Sequence, residues 1–466
     1  MQVPQRVIRQ RRQYNQWVGN QTLEDFALRF TATRARRGAF QVANTALGAV
    51  SFLACEAIGG SITLTFGFTN AMAAIVAAGL IMFLVGLPIC AAATKHGIDV
   101  DLLTRGAGFG YIGSTITSLI YATFTFILFA IEASIMSAAI VMVLHLPLWL
   151  ANCISALAVV PIAALGIRVI SRMQLFSQPL WLVLQFGPLL YLAARGLPDI
   201  AAWTQFPGVT GSNGLALLPF GMGTSILLSL LPQIGEQVDY LRFLPAKRGA
   251  GGWAALLLTG PGWVLTGCAK IAAGSFLAYL AIERGVDWEH AAQPATMFRF
   301  AFLEVFHNPA LAAGLTLVFV VTCQMKINTT NAYAGSIAWS NFFSRLTHSH
   351  PGRVVWVAFN VALALLLMQL GIYRVIQNIL GLYANFAVGW MGALAADLVI
   401  NKRLGLSPPG IEFKRAYLYD INPVGVGAMG LSVLVSTLMS FGVFGPVARA
   451  VAPFGGLIVA FVAAPA

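Results

Sequence analysis

Hydrophobic residues run through this chain in long blocks broken by short charged or Gly/Pro-rich stretches. Twelve blocks stand out, at 40–66, 69–93, 112–143, 146–168, 174–195, 214–238, 252–282, 309–342, 353–371, 374–400, 423–444 and 447–466. A helix of about 20 apolar residues crosses the roughly 30 Å hydrocarbon layer. None of the blocks alternates like a barrel strand, so the pattern predicts an all-α polytopic membrane protein with about 12 transmembrane helices.

Composition narrows the reading. Hydrophobic residues make up 58% of the 466 and charged residues only 9%, against about 25% charged in a soluble domain. Soluble globular, disordered and collagenous classes are excluded. The five cysteines (Cys55, Cys90, Cys153, Cys268, Cys323) lie in apolar blocks and read as packing residues, not a disulfide framework. The N-terminus is polar for about forty residues, so no cleavable leader is expected.

The net charge is +12, and its placement orients the chain. With the N-terminus inside, 21 of the 28 Lys and Arg fall on inner segments. Five fall on outer loops, at Arg195, Arg284, Arg299, Arg374 and Arg449. Cytoplasmic loops carry this excess in membrane proteins, which predicts both termini inside. Residues 1–39 form a basic arm that interleaves arginine with Trp17, Phe26 and Phe30. The stretch near 23–30 predicts a short helix on the cytoplasmic membrane surface, held by anionic lipid. The expected partners are the bilayer and a small-molecule solute, with no nucleic acid and no cofactor.

Two blocks carry helix-breaking residues at mid-span. The first has Gly59 and Gly60, and the sixth has Pro232 and Gly235 within LPQIGEQ. A break in hydrocarbon survives where it lines a polar cavity, and paired broken helices point to a transport site. Glycines also allow close helix packing, the alternative reading. Glu56 and Glu236 abut the two breaks and Glu132 sits mid-way along the third block. Buried carboxylates cost several kcal/mol unless paired, hydrated or protonated. Lys326, in the eighth block, is the expected ion-pair partner for one of them. Lys270 also lies in an apolar block. The eighth block ends in CQMKINTTNAYAGSIAWSNFF, whose amides suit a polar heterocycle or amide substrate.

Other motifs fail their context. GFGYIG at 108–113 opens an apolar block and follows no strand. His348 and His350 have no further metal ligands nearby in the sequence. No loop holds a soluble catalytic domain, so an enzyme is not expected.

Four segments carry a resemblance: GIDVDLLTRGAGFGYIGS (97–114), VDYLRF (238–243), NTTNAYAGSIAWSN (328–341) and KRAYLYDINPVGVGAMG (414–430). In this order they resemble the nucleobase:cation symporter-1 family, the purine/cytosine and allantoin/hydantoin permeases. The resemblance implies a five-plus-five inverted-repeat fold of the neurotransmitter:sodium symporter type, with discontinuous helices 1 and 6. The repeats would cover about 40–196 and 210–371, with extra helices at 374–466. It implies symport of a nucleobase, allantoin or hydantoin by alternating access in a bacterial inner membrane, coupled to Na+ or H+. Substrate-binding candidates are then Glu56, Phe129, Glu132, Gln233, Glu236, Asn328 and Asn331. Thr322, Cys323 and Lys326 would form the cation site or its substitute. The family's two ring-stacking tryptophans fall on Leu128 and Leu230. Members fused to histidine kinases supply the alternative, a membrane sensory input module. The ending FVAAPA inside an apolar run suits a longer chain of that kind.

Overall fold

A computed structural model describes residues 21–195, 198–211, 213–371, 376–412 and 414–465. Trp17, four arginines of the basic arm, and Arg374 lie outside the described residues. Helices account for all regular structure among the described residues.

The first predicted span is two helices, α1 (Ala39–Gly48) and α2 (Ala54–Phe66), bent by 44°. Then come α3 (Phe68–His96), α4 (Ser114–Leu144), α5 (Leu148–Leu165) and α6 (Ile167–Ala194). The sixth span divides into α7 (Leu217–Leu228) and α8 (Gln233–Leu241). The seventh divides at Gly260-Pro261-Gly262 into α9 (Ala250–Thr259) and α10 (Trp263–Glu283). The chain continues through α11 (Pro294–Phe306), α12 (Pro309–Leu346), α13 (Arg353–Gln369) and α14 (Ile376–Ala396). It ends with α15 (Pro423–Ser440) and α16 (Ala452–Ala463). Each of the twelve predicted blocks therefore holds helix. The sequence reading missed α11, whose Pro294 occupies the first helical turn.

Local chemistry sets several ends. Asn308 and Asn422 cap α12 and α15, each followed by proline, and Gly97 closes α3 in a left-handed turn. Long contact between α4 and α12 forms the bundle's centre. Phe129 packs there against Ala156, Val159, Ala332 and Val357.

The glycine pair of the first span corrects the predicted break. Gly59 and Gly60 are helical and lie inside α2. A Cβ on Gly59 would sit 1.9 Å from the Ile271 carbonyl oxygen, and one on Gly274 would sit 2.2 Å from that of Glu56. These glycines let α2 and α10 touch backbone to backbone, the packing alternative. The actual break precedes them: Ala49–Ser51 is a 3-10 turn and Phe52 is non-helical, with ψ 132. Between α7 and α8 the chain narrows instead of unwinding. Leu230 and Leu231 donate to Leu227 and Leu228, three residues back, both at 3.1 Å.

The segment at 21–37 is also corrected. Gln21–Glu24 is one α-helical turn, the chain then turns through Asp25 and Phe26 at positive φ, and Thr33–Ala35 forms a single 3-10 turn. Asp25, Phe26 and Ala27 are buried against the helices at one end of the bundle and do not lie on a surface. Arg242 donates to the Asp25 and Phe26 carbonyls at 2.9 and 3.2 Å, and Arg353 to that of Leu23 at 2.6 Å. Burial pushes the Asp25 carboxyl above its ordinary range, against the pull of Arg353.

Candidate substrate site

The first break gathers the buried charges. Glu132, from α4, accepts from the backbone N–H groups of Leu53 and Ala54 at 3.0 and 2.9 Å, one on each carboxylate oxygen. It therefore caps the N-terminus of α2, where orphan amides and the helix dipole favour a negative group. Lys270, from α10, donates to the Phe52 carbonyl at 2.8 Å and sits 3.5 Å from the Glu56 carboxylate. Gln185, from α6, donates to the same Glu56 oxygen at 2.9 Å. All four side chains are fully buried.

The predicted partner is thus wrong. Lys326 faces α6, donating to the Gln178 side chain at 2.9 Å, Ser177 at 3.1 Å and the Gln174 carbonyl at 3.4 Å. Lys270 does what Lys326 was expected to do, because sequence reports the depth of a residue and not its azimuth around the bundle. The trio Thr322, Cys323 and Lys326 does not converge on the break. The Thr322 hydroxyl bonds Val318 on its own helix, and only the Cys323 carbonyl reaches the break, accepting from Ser51 at 3.0 Å. Phe129, in the apolar core described above, is removed from the substrate candidates.

The remaining candidates lie between α4, α8 and α12. Glu236 accepts from Gln233 at 3.1 Å through one oxygen, while its other oxygen makes no hydrogen bond of normal geometry. Thr330 is beside it, and Glu132 is near enough to repel it. Gln324 lies against Glu132, yet neither its amide nitrogen nor its oxygen makes a hydrogen bond of normal geometry. Asn331 donates weakly to Asn328 at 3.4 Å, leaving the Asn328 nitrogen and Asn331 oxygen unpartnered. Buried polar groups are seldom left unpaired in a finished structure. A polar ligand or bound water could complete the bonding of such a concentration.

The aromatic surround also differs from expectation. Leu128 and Leu230 are aliphatic, whereas Phe52, Trp181 and Trp263 gather round the break. Lys270 lies 5.8 Å from the Phe52 ring and 5.9 Å from that of Trp181, within cation–π range. The indole nitrogens of Trp181 and Trp263 are unpartnered. Their depth in apolar blocks hid them in the sequence.

A cavity of about 710 Å³ opens on the face opposite the 21–37 segment. Ala57 and Ile58 of α2, with Ser134 and Ile135 of α4, line it, which brings it within a helical turn of Glu56 and Glu132. Glu289 and His290 line it from the loop before α11. None of the predicted site residues lines it.

Comparison with known proteins places this geometry. No protein-family model and no curated protein matches the chain. Among solved structures it is similar to Mhp1, a nucleobase-cation-symport-1 family transporter, in a closed conformation with bromovinylhydantoin bound. The TM-score is 0.71 at 20% identity over 93% of this chain and 92% of that one. The chain shares the fold of a nucleobase-cation-symport-1 transporter. The inward-facing conformation of Mhp1 matches at TM-score 0.66 and 18% identity, covering 93% and 91% of the two chains. An outward-open, substrate-bound Na+-coupled sialic acid symporter matches at 0.59 and 13%, over 97% and 93%. The all-helical symporter fold class expected from the sequence is therefore the observed one.

Proposed function

We propose that the protein is a secondary transporter that moves a small, polar, nitrogen-rich solute across the membrane by alternating access, coupled to Na+ or H+. One observation carries the reading. The bent first span meets a cavity on one face, while bonded inner segments close the other. Access from one side at a time is what such a transporter requires. The fold shared with a hydantoin-bound transporter and a Na+-coupled symporter supports it.

In this reading residues 40–196 and 210–371 are the two repeats, and helices within 374–466 stand beside them. Gln233, Glu236, Asn328 and Asn331 hold the solute, Glu132 holds the break by capping α2, and Glu56 positions it through Lys270. The N-terminus is cytoplasmic and the membrane is a bacterial inner membrane. The loops read as inner from their charge support this orientation by meeting on one face: Arg36 donates to the Thr94 and Leu244 carbonyls, and Arg353 to those of Ala163 and Ala164.

The test is uptake by proteoliposomes under an imposed Na+ or proton gradient, with uracil, cytosine, allantoin and hydantoin as solutes. Gradient-dependent accumulation of one of them is expected. Binding without accumulation under either gradient would overturn transport and favour the sensory module.

A further inference from the structure

The charges around the first break do not balance, and the imbalance says what sort of solute the site takes. Three carboxylates (Glu56, Glu132, Glu236) and two ammoniums (Lys270, Lys326) lie buried there. Glu56 and Lys270 form a self-contained pair at 3.5 Å. Lys326 is turned away towards α6, held by the oxygens of Gln174, Ser177 and Gln178 and lying 5.7 Å from the Trp181 ring. Glu132 is spent on the two amides at the start of α2. That leaves Glu236 with Gln233 bonded to one oxygen, the Thr330 hydroxyl beside it and no cation of the protein among its neighbours. A lone buried carboxyl keeps its charge only where a cation lies beside it.

The same contacts close the site to anions. A carboxylate or phosphate would seek the free amides at a half-helix N-terminus, and Glu132 already fills that position. The Gln324 amide oxygen and the Glu236 oxygen that lacks a bond of normal geometry instead offer acceptors to a donor-rich head. Glu289 stands in the wall of the cavity.

We infer that the solute is an organic cation with a planar, donor-bearing head, such as an amidine, a guanidine or a protonated aminoheterocycle. It is seated against Glu236 and Gln324 beneath the outer cavity. This rests on the transport reading only for the direction of movement; the charge preference belongs to the site itself. One N–H of the cation donates to that Glu236 oxygen and another to Gln324. The positive charge cancels the excess carboxylate, and the solute's flat face meets the aromatic surround.

Three isosteric probes separate charge from shape: benzamidine, benzamide and benzoate. Calorimetry on purified protein should show benzamidine binding at least about tenfold more tightly than benzamide, the effect of one charge-assisted hydrogen bond, with benzoate not binding. Guanidinium and 4-aminopyridinium extend the cation arm. Glu236→Gln should lower benzamidine affinity by about tenfold or more and benzamide affinity by less, so that the gap between the two probes narrows. Acidifying the wild-type protein supplies the same test without a variant, because protonated carboxyls no longer attract the cation: benzamidine binding should weaken and benzamide binding should not. The inference is overturned if no cation binds, if benzamide matches benzamidine, or if acid leaves benzamidine binding intact. Uptake separates the two readings. Cation binding without accumulation leaves this inference and removes transport, and accumulation of uracil or hydantoin without cation binding does the reverse.

Discussion

The two ends of the bundle are built from different bonds. At the end that holds the N-terminal segment, the inner one in the proposed orientation, buried arginines tie that segment to the helices. Arg242 reaches Asp25, Phe26 and the Tyr333 hydroxyl and pairs with Asp99 at 3.5 Å. Arg345 bonds the Ser114 and Ser118 hydroxyls. Arg353 reaches Leu23 and the end of α5. At the other end, among the described residues, the charged contacts are exposed ones: Arg284 pairs with Glu304 at 3.1 Å, and the His290 ring lies 2.7 Å from the Asp287 carboxylate. Exposed pairs are worth little, whereas breaking a buried one leaves an uncompensated charge. Opening the inner end therefore costs much more than closing the outer one. A transport cycle needs some event at the central site to offset that cost, since a ligand shifts an equilibrium only by its differential affinity for the two states.

The largest expected effect tests the inner end directly. Arg242→Ala should destabilise the protein by about 3–5 kcal/mol, because it strands Asp99 and three acceptors in a dry interior. Thermal unfolding in detergent reads this, and a loss under about 1 kcal/mol would mean the inner end is not the strong one. The boundary between the two ends comes next. Lys270→Met should cost about 3 kcal/mol by leaving Glu56 buried without its cation. Adding Glu56→Leu should recover most of the loss, and a strictly additive double variant would show that the pair is not coupled.

The sequence made the helical blocks legible because lipid demands long apolar runs; among the described residues nine helices, or ten with the bent first pair, are long and apolar enough to cross, and Arg353–Gln369 and Ala452–Ala463 are shorter. It made the second break legible because Pro232 announces itself. The first break was misplaced. Ala49–Leu53 reads AVSFL, with no proline or glycine, and what holds it open is tertiary: Glu132 on two amides and Lys270 on a carbonyl. Glycine at 59 and 60 answered a different demand, contact with α10. Glu132 was found by position, yet its role as a cap depends on where α2 begins. Lys270 was visible as a buried charge, but only packing reveals which carboxylate it meets.

A smaller effect lies on the outer half of α2. Gly60→Ala would place a Cβ 2.5 Å from the Met297 methyl and 2.8 Å from the Ala278 Cβ. Met297 belongs to α11, and its flexible end can shift at a cost of about 1–2 kcal/mol. A modest fall in melting temperature is expected, with the inner end unaltered. Increased hydrogen exchange at residues 23–37 in this variant would show that the ends are more tightly linked than their bonding implies.

The smallest effect is one of pH, and its sign separates burial from attraction at the inner end. Asp25 accepts from the Ile167 N–H at 2.7 Å and lies near Arg353 and Arg242, which favour its charged form. Burial outweighs them and raises its pKa above the ordinary value of 3.8. A carboxyl raised in the folded state binds its proton more tightly there than in the unfolded chain. Its contribution to stability is then full at pH values below the ordinary range and is lost as pH rises through the raised value. The inner end should therefore hold slightly more tightly near pH 5 than near pH 8. Hydrogen-exchange protection at Ala27 and Ile167, corrected for intrinsic rates, should fall a few-fold across that rise. Asp25→Asn removes the titrating group and should remove its part of the dependence, leaving the part due to Asp99 and Asp101, whose carboxyls burial also raises. Protection that instead increases with pH, and does so only when Asp25 is present, would mean that the arginines outweigh burial. The inner end would then be an ion-paired lock, weakened by acid.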